Sequence, residues 1–171
     1  MAGVNAGRIA AAFLVGSAVL AGGAMYYLQV YGYYRTLPPQ SDYALTLADG
    51  STATLSVSGF RGIDSASSPL RYRACMTLDG PLPVLADYPE PAPLNAPDWF
   101  DCFDARVLGE DLAAGRARAV LVEGNFRYGF DRVMALYPDR QAYVWPQVNA
   151  CGTAHFDGRP LPEGCPPPPE E

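Results

Sequence analysis

The sequence predicts an α+β fold, in which a single N-terminal transmembrane helix precedes a small disulfide-stapled domain with a mainly antiparallel sheet. The chain opens with a long uncharged apolar run, its later segments alternate apolar and polar residues between turn signals, and it contains four cysteines. Strands, then a helix, then more strands are typical of an α+β domain. The 171 residues suffice for one such domain and an appendage.

The apolar run covers residues 9–30 and contains no charged side chain. At roughly 1.5 Å per residue, a helix of this length spans the ~30 Å hydrocarbon core of a bilayer. We predict that residues 1–35 form an uncleaved anchor. A cleaved signal peptide is the first alternative, but the apolar run continues well past the small residues where cleavage would occur. The second alternative is a buried core helix, which rarely stays uncharged for so long.

Five tyrosines close the anchor: Tyr26, Tyr27, Tyr31, Tyr33 and Tyr34. Tyrosine is enriched at membrane–water interfaces, where the ring lies in lipid and the hydroxyl in water. We therefore interpret the five as a membrane-interface belt.

Small residues recur along the anchor at helix-packing spacings, namely Ala12, Gly16, Ala18, Gly22 and Gly23. Small side chains let two helix backbones approach closely in lipid. The pattern predicts packing against another transmembrane helix. A general alanine bias in this lysine-free chain is the alternative explanation.

The predicted extracytoplasmic domain covers residues 42–150, after a stiff linker at 36–41 that contains two prolines. Asp49-Gly50 is a hairpin turn signal, and we expect strands at 43–47 and 52–58 on either side of it. A third strand is expected within 69–78, and the proline-rich stretch after it should be a surface loop.

The second half of the domain should contain two short helical pieces within 97–115, then a strand at 117–124 and a hairpin at 131–147. Asp98 is the expected N-terminal acid of the helical region and Gly115 its C-terminal glycine. Residues 151–171 are predicted as a proline-rich tail.

The four cysteines are Cys75, Cys102, Cys151 and Cys165, and they allow three pairings. An even number in a domain outside the cytoplasm predicts disulfides. Because Cys151 and Cys165 bracket a loop rich in glycine and proline, we pair them, which leaves Cys75 with Cys102. Zinc held by Cys151, His155 and Cys165 is disfavoured, because the spacing is irregular and a fourth ligand is doubtful. No metal and no cofactor is expected.

Charge excludes one class of partner. From residue 41 onward, ten arginines face all eighteen carboxylates, a net charge of −8. Nucleic-acid binding needs a basic surface, so none is expected. An acidic domain suits a basic soluble partner such as an electron carrier, although solubility alone explains the charge.

Catalytic motifs are scarce. The single histidine, His155, is expected in a loop, and there is no G-x-S-x-G and no phosphate-binding glycine loop. Asp98, Asp101 and Asp104 could share a helix face, but such acids more often favour a helix N-terminus. We therefore predict that the protein is not an enzyme.

The aromatic residues of the domain could contribute to binding a partner protein. An exposed subset would form a protein-contact patch, and we expect Trp99, Phe100, Arg127 and Tyr128 in it. Cross-strand packing is the alternative role for these rings.

Four stretches, YYLQVYGYYR, SPLRYRACMTL, DWFDCFDA and YPDRQAYVWPQ, resemble a family of small uncharacterised single-pass membrane proteins of alphaproteobacteria. Its members are sometimes labelled histidine kinase, but this sequence lacks ATP-binding glycine boxes and long dimerisation helices. The resemblance implies no catalytic residues.

Two functions are expected from these features. The first is a non-catalytic accessory or assembly subunit of an inner-membrane complex, in particular a respiratory or electron-transport complex such as a terminal oxidase. The alternative is a periplasmic ligand-binding or sensing module anchored to the inner membrane, which requires a concave pocket with convergent polar groups. Both place the N-terminus in the cytoplasm and the domain in the periplasm of a bacterium. The positive-inside rule does not decide this orientation, since one arginine lies on each side of the apolar run.

Overall fold

The structure, a computed structural model, describes residues 6–169 and consists of two units, residues 1–34 and 35–171. The first unit contains α1 (Ala6–Tyr27), which continues into a π-helical turn at Leu28–Gly32. All described side chains of α1 are exposed. This helix is long and apolar enough to cross a membrane. Such a helix in front of a domain with two disulfides is the predicted architecture.

Within residues 35–169, the second unit contains seven strands and two helices. The strands are β1 (Arg35–Thr36), β2 (Asp42–Thr46), β3 (Thr52–Asp64), β4 (Arg73–Leu78), β5 (Arg118–Arg127), β6 (Phe130–Leu136) and β7 (Gln141–Val148). The helices are α2 (Ala105–Ala113) and α3 (Ala150–Phe156). The strand order is β1-β3-β4-β7-β6-β5, β2 also pairs with β3, and every pair is antiparallel. The predicted α+β class with an antiparallel sheet is confirmed.

The sheet closes on itself through a short segment of the proline-rich loop. Ala86 N–H donates to the carbonyl of Thr46 on β2 (3.0 Å), and Leu121 N–H on β5 donates to the carbonyl of Ala86 (2.8 Å). A continuous ring of hydrogen-bonded backbone therefore runs from β2 through β3, β4, β7, β6 and β5 and back. Closure removes the exposed edges that an open sheet would present.

The prediction that this whole proline-rich stretch is a surface loop is wrong at its centre. Residues 84–88 lie between Pro83 and Pro89 and contain no proline, so their N–H groups can pair. Leu85 is buried in the core of the ring, which draws this stretch against β2 and β5. Leu45, Met76, Val120 and Val144 belong to the same core.

The buried side chain of Arg73 holds the next part of the loop. Its Nε and Nη2 donate to the carbonyls of Leu94 and Asn95, both at 2.8 Å, and its Nη1 donates to those of Leu70 and Tyr72. One guanidinium thus satisfies carbonyls that no strand reaches. The loop is therefore ordered by β4 rather than by structure of its own.

Several element boundaries differ from the prediction for local reasons. β3 continues to Asp64, because Gly59 takes a positive φ of 64° and lets a bulge bend the strand instead of ending it. β4 begins only at Arg73, after turns around Pro69. The short strand β1 includes Thr36, so the expected linker starts within the sheet.

The helical region is also shorter than expected. Only α2 forms, and its N-cap is Asp104, whose side chain accepts from the N–H groups of Arg106 and Val107. Asp98 therefore has no capping role, because residues 97–103 form turns. Gly115 follows the helix with a φ of +70°, as expected of a C-terminal glycine.

The predicted tail contains α3, which sequence reasoning missed. Asn149 caps it by accepting from Gly152 N–H at 2.9 Å. His155 therefore lies on a helix, and its expected place in a loop is wrong. The four consecutive prolines after Cys165 do not prevent this helix, because they begin ten residues beyond its end.

Candidate functional site

Residues 9–30 present a continuous uncharged surface. Four of the five belt tyrosines are exposed and Tyr34 is partly buried. Tyr27 stacks on Tyr31 with ring centroids 5.9 Å apart, and Tyr26 meets Tyr31 edge-on. The glycines among the predicted helix-packing residues, Gly16, Gly22 and Gly23, have open space where a side chain would stand. Ala12 and Ala18 lie on the same exposed helix. A second helix could therefore approach this backbone closely.

The disulfides join the predicted partners. Cys75 of β4 is bonded to Cys102, and Cys151 of α3 is bonded to Cys165. The first bond fixes the 97–103 turns to the sheet, and the second fixes the C-terminal segment to α3. Disulfides of this kind persist in oxidising compartments outside the cytoplasm.

The predicted contact residues lie in two different places and are not equally available. Phe100 is 5% exposed and packs under the guanidinium of Arg61, so its expected role as a contact residue is wrong. Trp99 stands edge-on to Phe100 and is half-buried. Arg127 is exposed and Tyr128 partly exposed, on the turn between β5 and β6. Burial of Phe100 follows from the Cys75–Cys102 bond, which draws its segment onto the sheet.

Tyr128 belongs to a small aromatic surface beside α3, which we call the α3 surface: Tyr128, His155 and Phe156. The Tyr128 and His155 ring centroids are 5.1 Å apart, and the Tyr128 hydroxyl donates to the carbonyl of Pro166. Phe156 remains 55% exposed. The α3 surface rests on a close approach of Gly129 to Gly152, where a Cβ on either residue would overlap the other's backbone.

The carboxylates considered for catalysis have structural contacts. Asp104 caps α2, and Asp101 pairs with Arg61 at 2.5 Å. Asp98 is exposed. Within residues 6–169, no cluster of three or more His, Cys, Asp or Glu side chains could hold a metal ion.

A concave site does occur, along the line where β2 meets β5. We call it the seam groove. It measures about 620 Å³ and is lined by Gln40, Asp42, Tyr43, Ala44, Thr46, Gly50, Thr52, Tyr72, Leu121, Val122, Glu123, Gly124 and Arg132. The bridging segment 84–88 pairs only with the ends of β2 and β5. Beside it, Thr46 Oγ1 donates to the Val122 carbonyl at 2.9 Å, and this side-chain bond joins the two strands.

Two tyrosine hydroxyls meet in the seam groove. Tyr43 Oη and Tyr72 Oη are 2.9 Å apart, and both residues are buried. Burial raises the pKa of Tyr43 well above its ordinary value, and burial also raises the pKa of Tyr72. The positive charge of Arg132 opposes both shifts. Both hydroxyls are therefore protonated and able to donate at any physiological pH.

Arg132 lies between two aromatic rings beside these hydroxyls. Its guanidinium carbon is 4.7 Å from the Tyr72 ring centroid and 4.6 Å from that of Phe126. Nη1 donates to Glu123 at 2.9 Å. Its Nε is buried and has no acceptor among the described residues. Stacking on both faces holds the guanidinium plane in place.

Sequence reasoning did not find the seam groove. Its residues come from β2, β5, β6, the start of β3 and the residue before β4, and β2 and β5 become neighbours only once the ring closes. One signal was present, because Asp131 and Arg132 place two charges in a strand whose other residues are apolar. Such a charge within a strand indicates either an edge or a polar partner across the sheet.

Comparison with known proteins gives one match. Residues 43–166 match a family described as a family of unknown function (DUF6446). The matched range includes both disulfides, the seam groove except Gln40 and Asp42, and the α3 surface. No curated protein and no solved structure matches the chain.

Proposed function

We propose that the chain, which belongs to the family of unknown function DUF6446, is a non-catalytic accessory or assembly subunit of a bacterial inner-membrane complex. The observation that carries this proposal is the exposed helix α1, which has no charge between residues 9 and 30. A tether needs only apolar length. This helix also offers glycines with open space above them, which suits close packing with another helix.

The proposed topology places the N-terminus in the cytoplasm and the domain in the periplasm. The two disulfides support an oxidising compartment for the domain. The complex we propose is a respiratory or electron-transport complex, such as a terminal oxidase. The net charge of −8 after residue 40 supports this choice, because an acidic surface attracts a basic soluble electron carrier.

Matched substitutions in α1 test the packing role. Ala18→Leu with Gly22→Leu fills the small-residue stripe formed by this pair. Val15→Leu with Val19→Leu introduces the same two leucines, also four residues apart, at positions where the side chains are already large. Native gel electrophoresis of mildly solubilised membranes should show the first variant released from a large complex and the second retained. Equal retention of both variants would contradict packing through the stripe.

A second candidate function is ligand binding or sensing by the periplasmic domain. The seam groove favours it, since it is concave and brings two hydroxyls and a guanidinium together. The two functions are compatible in one chain, because α1 and the groove lie in separate units.

A further inference from the structure

The floor of the seam groove has more hydrogen-bond donors than acceptors to receive them. The bond between Tyr43 and Tyr72 uses one of their two hydroxyl protons. No described residue accepts the other proton, and none accepts from Arg132 Nε. A ligand that supplies an acceptor oxygen would complete the hydroxyl pair.

The carboxylate of Glu123 pairs with the Arg132 guanidinium, and a ligand could displace it. Its side chain is 54% exposed, whereas that of Arg132 is 24% exposed and lies between two rings. An exposed carboxylate returns to water at little cost, since exposed ion pairs contribute little to stability. Arg132 has no comparable freedom. The ion pair therefore marks a carboxylate position that another carboxylate can take.

The walls beside that position are partly apolar. Ala44, Leu121 and Val122 line the groove near the tyrosine rings. A volume of about 620 Å³ accommodates an organic molecule rather than a single inorganic ion. The site thus combines the positively charged guanidinium of Arg132 with an apolar wall.

We propose that the seam groove binds a small organic carboxylate, whose carboxylate replaces Glu123 on Arg132 and whose apolar body lies along Leu121 and Val122. The proposal rests on the ligand-binding function given above. Arginine and a carboxylate match in end-on bidentate geometry across Nη1 and Nη2, which adds a second N–H donor to the Nη1 contact that one oxygen of Glu123 makes. The tyrosine pair donates its remaining proton to the bound molecule.

The charge of the domain limits the affinity without forbidding binding. The net charge of −8 repels anions at long range, but this repulsion is screened beyond about 8 Å at physiological ionic strength. The nearest competitor is Glu123 itself. Removing its charge should therefore strengthen binding of an added carboxylate.

Solution NMR of the full chain in lipid nanodiscs tests the proposal, with benzoate as the probe and benzamide as its neutral isostere. The Arg132 Nε–H resonance, assigned by its loss in Arg132→Lys, should shift saturably with benzoate. Benzamide should bind at least about tenfold more weakly, because it lacks the charge-assisted bonds to the guanidinium. Tyr43 and Tyr72 ring signals should shift in the same titration.

Two carboxylate substitutions give a matched control that leaves Arg132 intact. Glu123→Gln should tighten benzoate binding by about three- to tenfold, whereas Asp157→Asn, which neutralises a carboxylate paired with Arg159 outside the groove, should leave it nearly unchanged. Equal tightening by both variants would mean that only net charge matters and would overturn the Arg132 site.

The titrations also separate this proposal from the function on which it rests. Equal binding of benzoate and benzamide would overturn carboxylate recognition while leaving a ligand-binding groove. No saturable shift with either probe would overturn both.

Discussion

Tyr43 and Tyr72 join their hydroxyls at 2.9 Å in the interior of the closed sheet, although 29 residues separate them in the chain. Tyr43 is on β2, and Tyr72 immediately precedes β4. Their contact therefore depends on β3 pairing with both strands and on the ring closing. It links the fold to the seam groove, because the same two hydroxyls line that groove.

This pair predicts a non-additive effect of substitution. Tyr43→Phe or Tyr72→Phe alone should destabilise the domain by about 1–3 kcal/mol, since each leaves a buried hydroxyl without its partner. The double variant should cost less than the sum of the two. Urea unfolding followed by fluorescence of the fully buried Trp145 measures this cycle. Additive losses would contradict a direct bond between the hydroxyls.

The glycine contact under α3 predicts a strong effect from one added methyl group. Gly152→Ala should destabilise the domain by about 2 kcal/mol or more, because its Cβ would overlap the backbone of Gly129. Gly109→Ala is the control, since it lies in α2 with open space around it and should be neutral or stabilising by up to about 1 kcal/mol. Thermal unfolding of both variants tests this difference in stability. Similar melting temperatures for the two variants would count against the close contact between Gly129 and Gly152.

Arg73 should be more costly to replace than an exposed arginine. Arg73→Met removes the donors that hold the carbonyls of Leu94 and Asn95, and we expect a loss of about 3–5 kcal/mol. Arg127→Met changes the same side chain at an exposed position and should cost under about 0.5 kcal/mol. Limited proteolysis should cleave the Arg73 variant first between residues 89 and 97. Unchanged protease resistance there would show that the loop is ordered by something else.

Asp111 predicts a pH dependence of stability. The hydrogen bond from Tyr137 and the contact with Arg116 lower the pKa of Asp111 below its ordinary value. A carboxyl whose pKa is lower in the folded state stabilises fully above its unfolded pKa of about 4, and this stabilisation is lost as pH falls through the folded pKa. Asp111→Asn should therefore be less stable than the parent chain at pH 7, and the gap should be smaller at pH 3. A gap that is the same at both values would contradict this linkage.

Local sequence signals predicted much of the fold because local chemistry determines those parts. The uncharged run specifies α1, Asp49-Gly50 specifies the first hairpin, and Gly115 ends α2 with a positive φ. The cysteine pairing also followed from loop composition. Each of these features depends on residues close together in the chain, so a linear pattern reveals it.

The predictions that were wrong concern features that depend on contacts between residues distant in the sequence. Phe100 looked available for a partner, but the bond from Cys102 to Cys75 draws its segment onto the sheet. The proline-rich stretch was expected to be irregular throughout. However, Leu85 is buried in the core, and its burial positions Ala86 between β2 and β5. The seam groove follows from that closure, and no linear pattern contains it.

In the proposed function, the anchor and its domain act together as a subunit of a membrane complex. Quantitative mass spectrometry of the tagged full chain, purified in mild detergent from its native membrane, tests this most directly. We expect the subunits of one inner-membrane complex to co-purify in constant stoichiometry, and we expect Ala18→Leu with Gly22→Leu to lose them while Val15→Leu with Val19→Leu retains them. Recovery of the protein alone, or only with further copies of itself, would contradict the subunit function.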